Sequence, residues 1–168
     1  MVIANQRRVI YGSVIGQVTT VGTNTTYTGL CLSNPNSSKV NLSVIAAGFG
    51  FTVAFPAASV IGLMRGFSTT DVTHTAAVTP YNQFGQGTPT ALLDSSATLP
   101  ATPTVEKVFG AGLTGAITTA PFAGGFYHID EGEIVLPPGS FLAFYTSTVS
   151  GTAAGSFSFK WEELPFLA

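Results

Sequence analysis

The sequence predicts an all-β chain: an antiparallel β-sandwich, jelly-roll-like, carrying a long Thr/Pro/Gly-rich loop excursion. Three observations predict it. Short runs rich in valine, isoleucine, phenylalanine and threonine recur along the whole chain, separated by Gly/Pro turns. Several of these runs alternate apolar and polar residues with the period of a half-buried strand. No segment carries a helical period. Many short strands with such punctuation fit a sandwich, and the jelly roll is the sandwich they match best.

The elements follow in order. Residues 1–8 form an N-terminal arm, and 9–168 form a single β-sandwich domain. Residues 9–21, VIYGSVIGQVTTV, are a first strand region, and 27–33, YTGLCLS, a second. Asn-Pro opens the turn NPNSS at 34–38. With the run that follows Lys39, that turn predicts a hairpin.

That run contains LSVIAAGFGFTVAFPAASVIGLM, residues 42–64, which is uncharged and long enough to cross a bilayer. Its glycines, Pro56 and β-branched and aromatic residues argue for strands instead. Val40, Leu42 and Val44 hold the even positions. From Ile45 the apolar residues hold the odd ones: Ala47, Phe49, Phe51, Val53 and Phe55. A switch of parity inside one strand predicts a β-bulge at Val44–Ile45. Pro56 ends the strand, because it has no N–H for a ladder, and 59–67, SVIGLMRGF, is the next one.

Residues 68–103 lose periodicity and form the loop excursion, with one or two short strands; an excursion of this length in a compact domain is usually functional or partner-bound. Residues 104–119 return to strand content, and 118–125 connect onward. EIVL at 133–136, the turn PPG, and SFLAFYTST at 140–148 follow. The last of these is apolar on both parities, which predicts that both of its faces are covered. SFSFKWEE at 156–163 alternates, with Phe157, Phe159 and Trp161 on one side, and reads as a strand with one wet face at a sheet edge.

Composition narrows the function. Charged residues are 8% of the 168, net charge is −2 and mean hydropathy is +0.41. A typical soluble domain carries roughly 25% charged residues. So weakly charged a surface does little to keep copies apart, and a homo-oligomer is expected. Six scattered Lys and Arg residues, of which only Arg7 and Arg8 adjoin, do not make a phosphate-binding stripe, so no nucleic acid is expected as partner. The single cysteine, Cys31, excludes an internal disulfide and reads as a buried thiol. Residues 1–13 lack the pattern of a secretory signal, so synthesis in a cytoplasm is expected, with no membrane as partner.

Catalytic candidates are few. His74 and His128 lie in different regions, with Asp130, Glu131 and Glu133 near only the second, and a metal needs three or four converging ligands. The three carboxylates read as a solvated acidic turn. Serines are abundant but none has a G-x-S-x-G context, and no glycine run leads into Gly-Lys-Ser/Thr. EGEIVLPPG resembles the strand-turn-strand of cupins, yet the histidines that family places around it are missing. No catalytic, cofactor-binding or metal-binding residue is assigned, and no cofactor is expected. Phe49, Phe51, Phe55, Phe157, Phe159 and Trp161 are candidates for core or for a subunit interface.

IVLPPGSFLAFYTSTVSGTAAGSFSFKWEELP resembles the end of jelly-roll capsid decoration, or cement, proteins of tailed bacteriophages. The resemblance covers about residues 125–165 and rests on the PPG turn, the Gly/Ala/Thr loop and the aromatic strand ending in an acidic pair. It implies a structural virion protein on the capsid exterior that bridges capsomers. It implies two kinds of partner, the major capsid protein and further copies of the chain, with a trimer favoured over a dimer. Arg7 and Arg8 are then candidate anchors to an acidic shell. Two other expectations stand beside it: a head-fibre or receptor module whose 68–103 region contacts glycans, and a cupin-like metal enzyme.

Overall fold

The structure is a computed structural model, and it describes residues 9–51, 58–83, 85, 87–112, 125–129, 131–149 and 155–165. Arg7, Arg8, Val53, Phe55, Pro56 and Asp130 lie outside the described residues. The strands are β1 (Val9–Gln17), β2 (Thr26–Ser33), β3 (Val40–Phe51), β4 (Ser59–Phe67), β5 (Thr73–Val78), β6 (Tyr81–Asn82), β7 (Leu92–Thr98), β8 (Thr104–Gly112), β9 (Gly125–Ile129), β10 (Val135–Leu136), β11 (Ser140–Thr146) and β12 (Gly155–Pro165). No helix occurs among the described residues.

Two antiparallel sheets pack as a sandwich. The first runs β10-β3-β12-β1-β6, with β9 also against β3; the second runs β5-β7-β2-β11-β4-β8. Set β5 to β7 aside and count β9 and β10 as one interrupted strand, and eight strands remain. The first sheet then takes the first, eighth, third and sixth, and the second sheet the second, seventh, fourth and fifth. This is jelly-roll connectivity. The residues between β4 and β8 are an insertion in it.

The bulge lies where the parity changes. Lys160 faces Ala46 and Trp161 faces Val44, so Ile45 is the extra residue of β3 opposite β12. Leu42 and Val44 enter the core before it, and Ala47 and Phe51 after it, with Phe49 packed against them. Ile10, Leu30, Leu32, Leu63, Leu93, Leu142, Phe144, Phe157, Phe159 and Trp161 complete the space between the sheets. Phe144 stacks on Phe159 with ring centroids 4.9 Å apart. Of the aromatic candidates within the described residues, Phe51, Phe157, Phe159 and Trp161 are buried in the core, and Phe49 is partly buried against it.

Three expectations are corrected. The turn at 34–38 does not make a hairpin: β2 and β3 lie in different sheets, so this connection arches across the sandwich. Asn34 fastens the arch, donating from Nδ2 to Val40 O at 2.8 Å and Leu136 O at 2.9 Å. Next, β12 is not an edge strand but lies between β3 and β1. Its wet side is the outer face of the first sheet. Finally, 68–103 carries more strand than the one or two expected of it. It supplies three strands, of which β5 and β7 extend the second sheet past β2 while β6 extends the first past β1.

The insertion also explains why β11 is apolar on both parities. Tyr27, Cys31, Met64, Phe141 and Ala143 form a second apolar cluster with Val72, Ala97 and Leu99. These side chains face away from the main core. Val72 and Leu99 belong to the links β4–β5 and β7–β8, which join opposite margins of the second sheet. The chain thus covers the outer face of its own second sheet.

Candidate interaction surface

The acidic turn sits where β9 gives way to β10. Glu131 and Gly132 both take positive φ, 50° and 88°, and their N–H groups bond to Ile45 O and Val44 O. The turn thereby caps the bulge from the other side of β3. Glu133 pairs with Lys107 at 3.0 Å across the surface. His128 packs on the ring of Phe109, 5.2 Å between centroids. Among the described residues no three His, Cys, Asp or Glu side chains converge as a metal site.

A charged cluster that sequence reasoning missed lies on the outer face of the second sheet. His74 Nδ1 pairs with Asp94 Oδ2, and Asp94 is fully buried. Asp94 Oδ1 has no hydrogen-bond partner. Cys31 stands directly opposite Asp94 in the ladder. Burial pushes the Cys31 thiol far up, and the neighbouring Asp94 charge pushes it further, so the sulfur stays protonated and inert. Asp71 accepts two bonds from Asn36, from its backbone N–H and from Nδ2, both at 2.7 Å. Those bonds, and more weakly His74, hold its carboxyl below the usual range.

A carboxylate holding Nδ1 of a histidine is also the rear half of a nucleophilic triad. Among the described residues no hydroxyl or thiol is seen bonded to His74 Nε2 as a front half would be. Ser33, which lines the adjoining cleft, directs its hydroxyl to Leu92 O. The cleft measures about 40 Å³, room for water rather than a substrate. The cluster pins β5 and the link before it onto the sheet.

The feature that stands out is at one end of the sandwich. Every Asp, Glu, Lys and Arg lies outside four segments: 9–38, 40–64, 108–129 and 134–159. Each segment contains one of the connections between β1 and β2, β3 and β4, β8 and β9, and β11 and β12, while 9–38 and 134–159 also reach the uncharged turns at 34–38 and 137–139 at the other end. The ladders bring the strand ends that flank these connections to the same end: Gln17 faces Gly155, Gly155 faces Phe51, and Ser59 faces Gly112. The described residues of that end carry no charge and form a charge-free pole. The charged side chains of the described residues occupy the body and the opposite end.

Hydroxyls and backbone hold the pole together. Gly22 N–H bonds to Thr146 O at 2.8 Å, Thr146 Oγ1 to Thr19 Oγ1 at 3.0 Å, and Thr148 Oγ1 to Ala58 O at 2.9 Å. Apolar side chains project from it. Val18, Val21 and Val149 are exposed, and Ile15 is 81% exposed. Ile15 sits in a register shift between Val14 and Gln17, next to Gly16 at φ 77°. A bulge of this kind re-aims a side chain, here an isoleucine into solvent.

The four uncharged segments were readable in the sequence; their meeting at one pole was not, because it depends on the strand order. Of the predicted site residues, Phe51, Phe157, Phe159 and Trp161 belong to the core and Phe49 packs half-buried against it, while Arg7, Arg8 and Phe55 lie outside the described residues. Comparison of the chain with protein-family models, curated proteins and solved structures finds no match.

Proposed function

We propose that the chain is a structural virion protein that binds the outside of an assembled phage capsid and stabilises it by bridging capsomers. The charge-free pole carries this reading. Interface centres are depleted of charge, and permanent homo-oligomer contacts are the most apolar of all. An uncharged end bearing Ile15, Val18, Val21 and Val149 suits contact between copies. The rest of the chain holds all its charge, with acids in excess. Charged side chains cost free energy when a contact buries them unpaired, which favours meeting at the uncharged poles. A closed ring, three copies in preference to two, then turns its charged regions outward, toward the major capsid protein. A ligand that binds only the assembled shell stabilises it by mass action. Jelly rolls also serve in capsids generally, which is support at the level of fold alone.

The test has two readouts. Light scattering should give a mass that is a multiple of 17.3 kDa at micromolar concentration. Val18→Asp with Val21→Asp should reduce it to one chain without loss of β signal, and should reduce co-sedimentation with capsids at least tenfold. A wild-type monomer that fails to co-sediment would refute the reading.

A further inference from the structure

The insertion places one strand where the jelly roll alone has none. β6 lies beside β1, with Tyr81 directly opposite Tyr11 and Asn82 opposite Ile10. Ile10 is core, so Tyr11 and Tyr81 share the outer face of the first sheet. Tyr81 is 71% exposed and Tyr11 36%. Across β1, Lys160 faces Tyr11 and Ser158 faces Ser13. Lys160 Nζ stands 5.2 Å from the centre of the Tyr11 ring. Tyr11 OH donates to Gln83 Oε1 at 3.3 Å, which ties β1 to the residue after β6. Between β1 and β12 lies a trough of about 190 Å³, lined by Tyr11, Ser13, Ser158 and Lys160 over Gly12 and Phe159, and Tyr81 stands next to it, on the other side of Tyr11.

We propose that this trough binds the ring of a saccharide, with Tyr11 as its aromatic wall, Tyr81 extending the stacking platform beside it, and Ser13, Ser158 and Lys160 as the polar contacts. The chemistry of the lining selects the ligand. A pyranose has one face of C–H groups and a rim of hydroxyls. Two exposed tyrosine rings offer an apolar face at low entropic cost, and two hydroxyls and an ammonium offer donors and acceptors at its edge. An extended peptide would want a free strand edge, but β12 is paired on both sides and β1 is paired with β6 at Tyr11. A nucleic acid would want a row of cations, and Lys160 is the one cation lining the trough. A lipid chain would leave both hydroxyls and the ammonium unsatisfied. The volume is below the roughly 300–1,000 Å³ of a site for a drug-sized molecule, so one ring is held and the rest of a glycan lies in solvent. The proposal stands independently of the capsid reading. It gives the insertion a role beyond covering the second sheet.

The experiment uses the full-length chain and a panel of methyl pyranosides: neutral hexoses, N-acetylated hexosamines and carboxylated sugars. Saturation-transfer NMR should detect at least one of them, at millimolar affinity. Tyr81→Ala and Tyr11→Ala should each weaken that ligand at least tenfold. Phe67→Ala removes another exposed aromatic ring, 60% exposed at the end of β4, and should leave binding unchanged. The proposal is overturned if no sugar of the panel binds. It is equally overturned if binding survives both tyrosine substitutions, or is lost with Phe67→Ala. None of these results bears on whether the chain oligomerises or attaches to capsids.

Discussion

At the scale of single residues, Glu163 shows how a charge is made to serve a nearly uncharged protein. It continues the inward parity of Phe157, Phe159 and Trp161, so alternation sends a carboxylate into the interior. It is buried, and Oε1 accepts from the backbone N–H of Thr90 at 2.6 Å and of Ala91 at 2.9 Å. β12 thereby holds the chain leading into β7. Hydrogen bonds to a charged group contribute about 1.5–3 kcal/mol each, and a donor buried without a partner costs a similar amount. Glu163→Ala should therefore lower unfolding free energy by about 3 kcal/mol in urea titration, and Glu163→Gln, which keeps an acceptor oxygen, by clearly less. Equal losses from the two variants would mean that the bonds to Thr90 and Ala91 do not matter. The inward parity of Glu163 was legible in SFSFKWEE. Its partners were not, because Thr90 and Ala91 arrive from an insertion whose path no local pattern gives.

At the scale of elements, legibility followed the strength of alternation. The bulge at Ile45 was legible because large apolar residues change parity across it, and a buried face tolerates no such change without an extra residue. β5 was illegible for the opposite reason. Its residues, THTAAV, are mostly exposed and hold no large apolar stripe. β7 carries a register shift against β2 and two against β5, which scrambles its parity. The hairpin reading of 34–38 failed because a turn signature fixes a reversal of direction, not the sheet in which the next strand lands. The pairing of β4 with β8 offers a test at this scale. It shifts register twice, once between Ile61 and Gly62. A Cβ on Gly62 would run into the carbonyl oxygen of Lys107, a backbone atom with little room to give. Gly62→Ala should push β8 off the sheet edge at a cost of about 2–3 kcal/mol, the range of severe single substitutions. Hydrogen exchange should quicken in the β8 amides paired to β4 before those of β3 and β12. Uniform protection throughout the second sheet would place the strain elsewhere.

At the scale of the whole molecule, low charge and high apolar content are accounted for twice over. One part lies between the sheets, and another forms the second cluster that the insertion covers from outside. Among the described residues, half of the exposed large apolar and tyrosine side chains lie at the charge-free pole or on the Tyr11–Tyr81 face, and the rest, Phe67 and Val108 among them, are spread over the surface. The insertion is then a structural component of the sandwich, and excising it tests that directly. β4 and β8 are antiparallel neighbours, with Arg65 facing Thr104, so a short Asn-Gly turn can join Phe67 to Thr104 as a simple hairpin. The eight jelly-roll strands would all be retained. Yet Tyr27, Cys31, Met64 and Phe141 would lose Val72, Ala97 and Leu99, and Glu163 would lose Thr90 and Ala91. β2 would become a bare sheet edge, a template for pairing with other chains. The shortened chain should bind a hydrophobic dye strongly, expose Cys31 to thiol reagents that leave the intact protein untouched, and aggregate at micromolar concentration. A shortened chain that stays monodisperse, with Cys31 unreactive and stability unchanged, would mean that the second cluster needs no cover and that the insertion serves the trough alone.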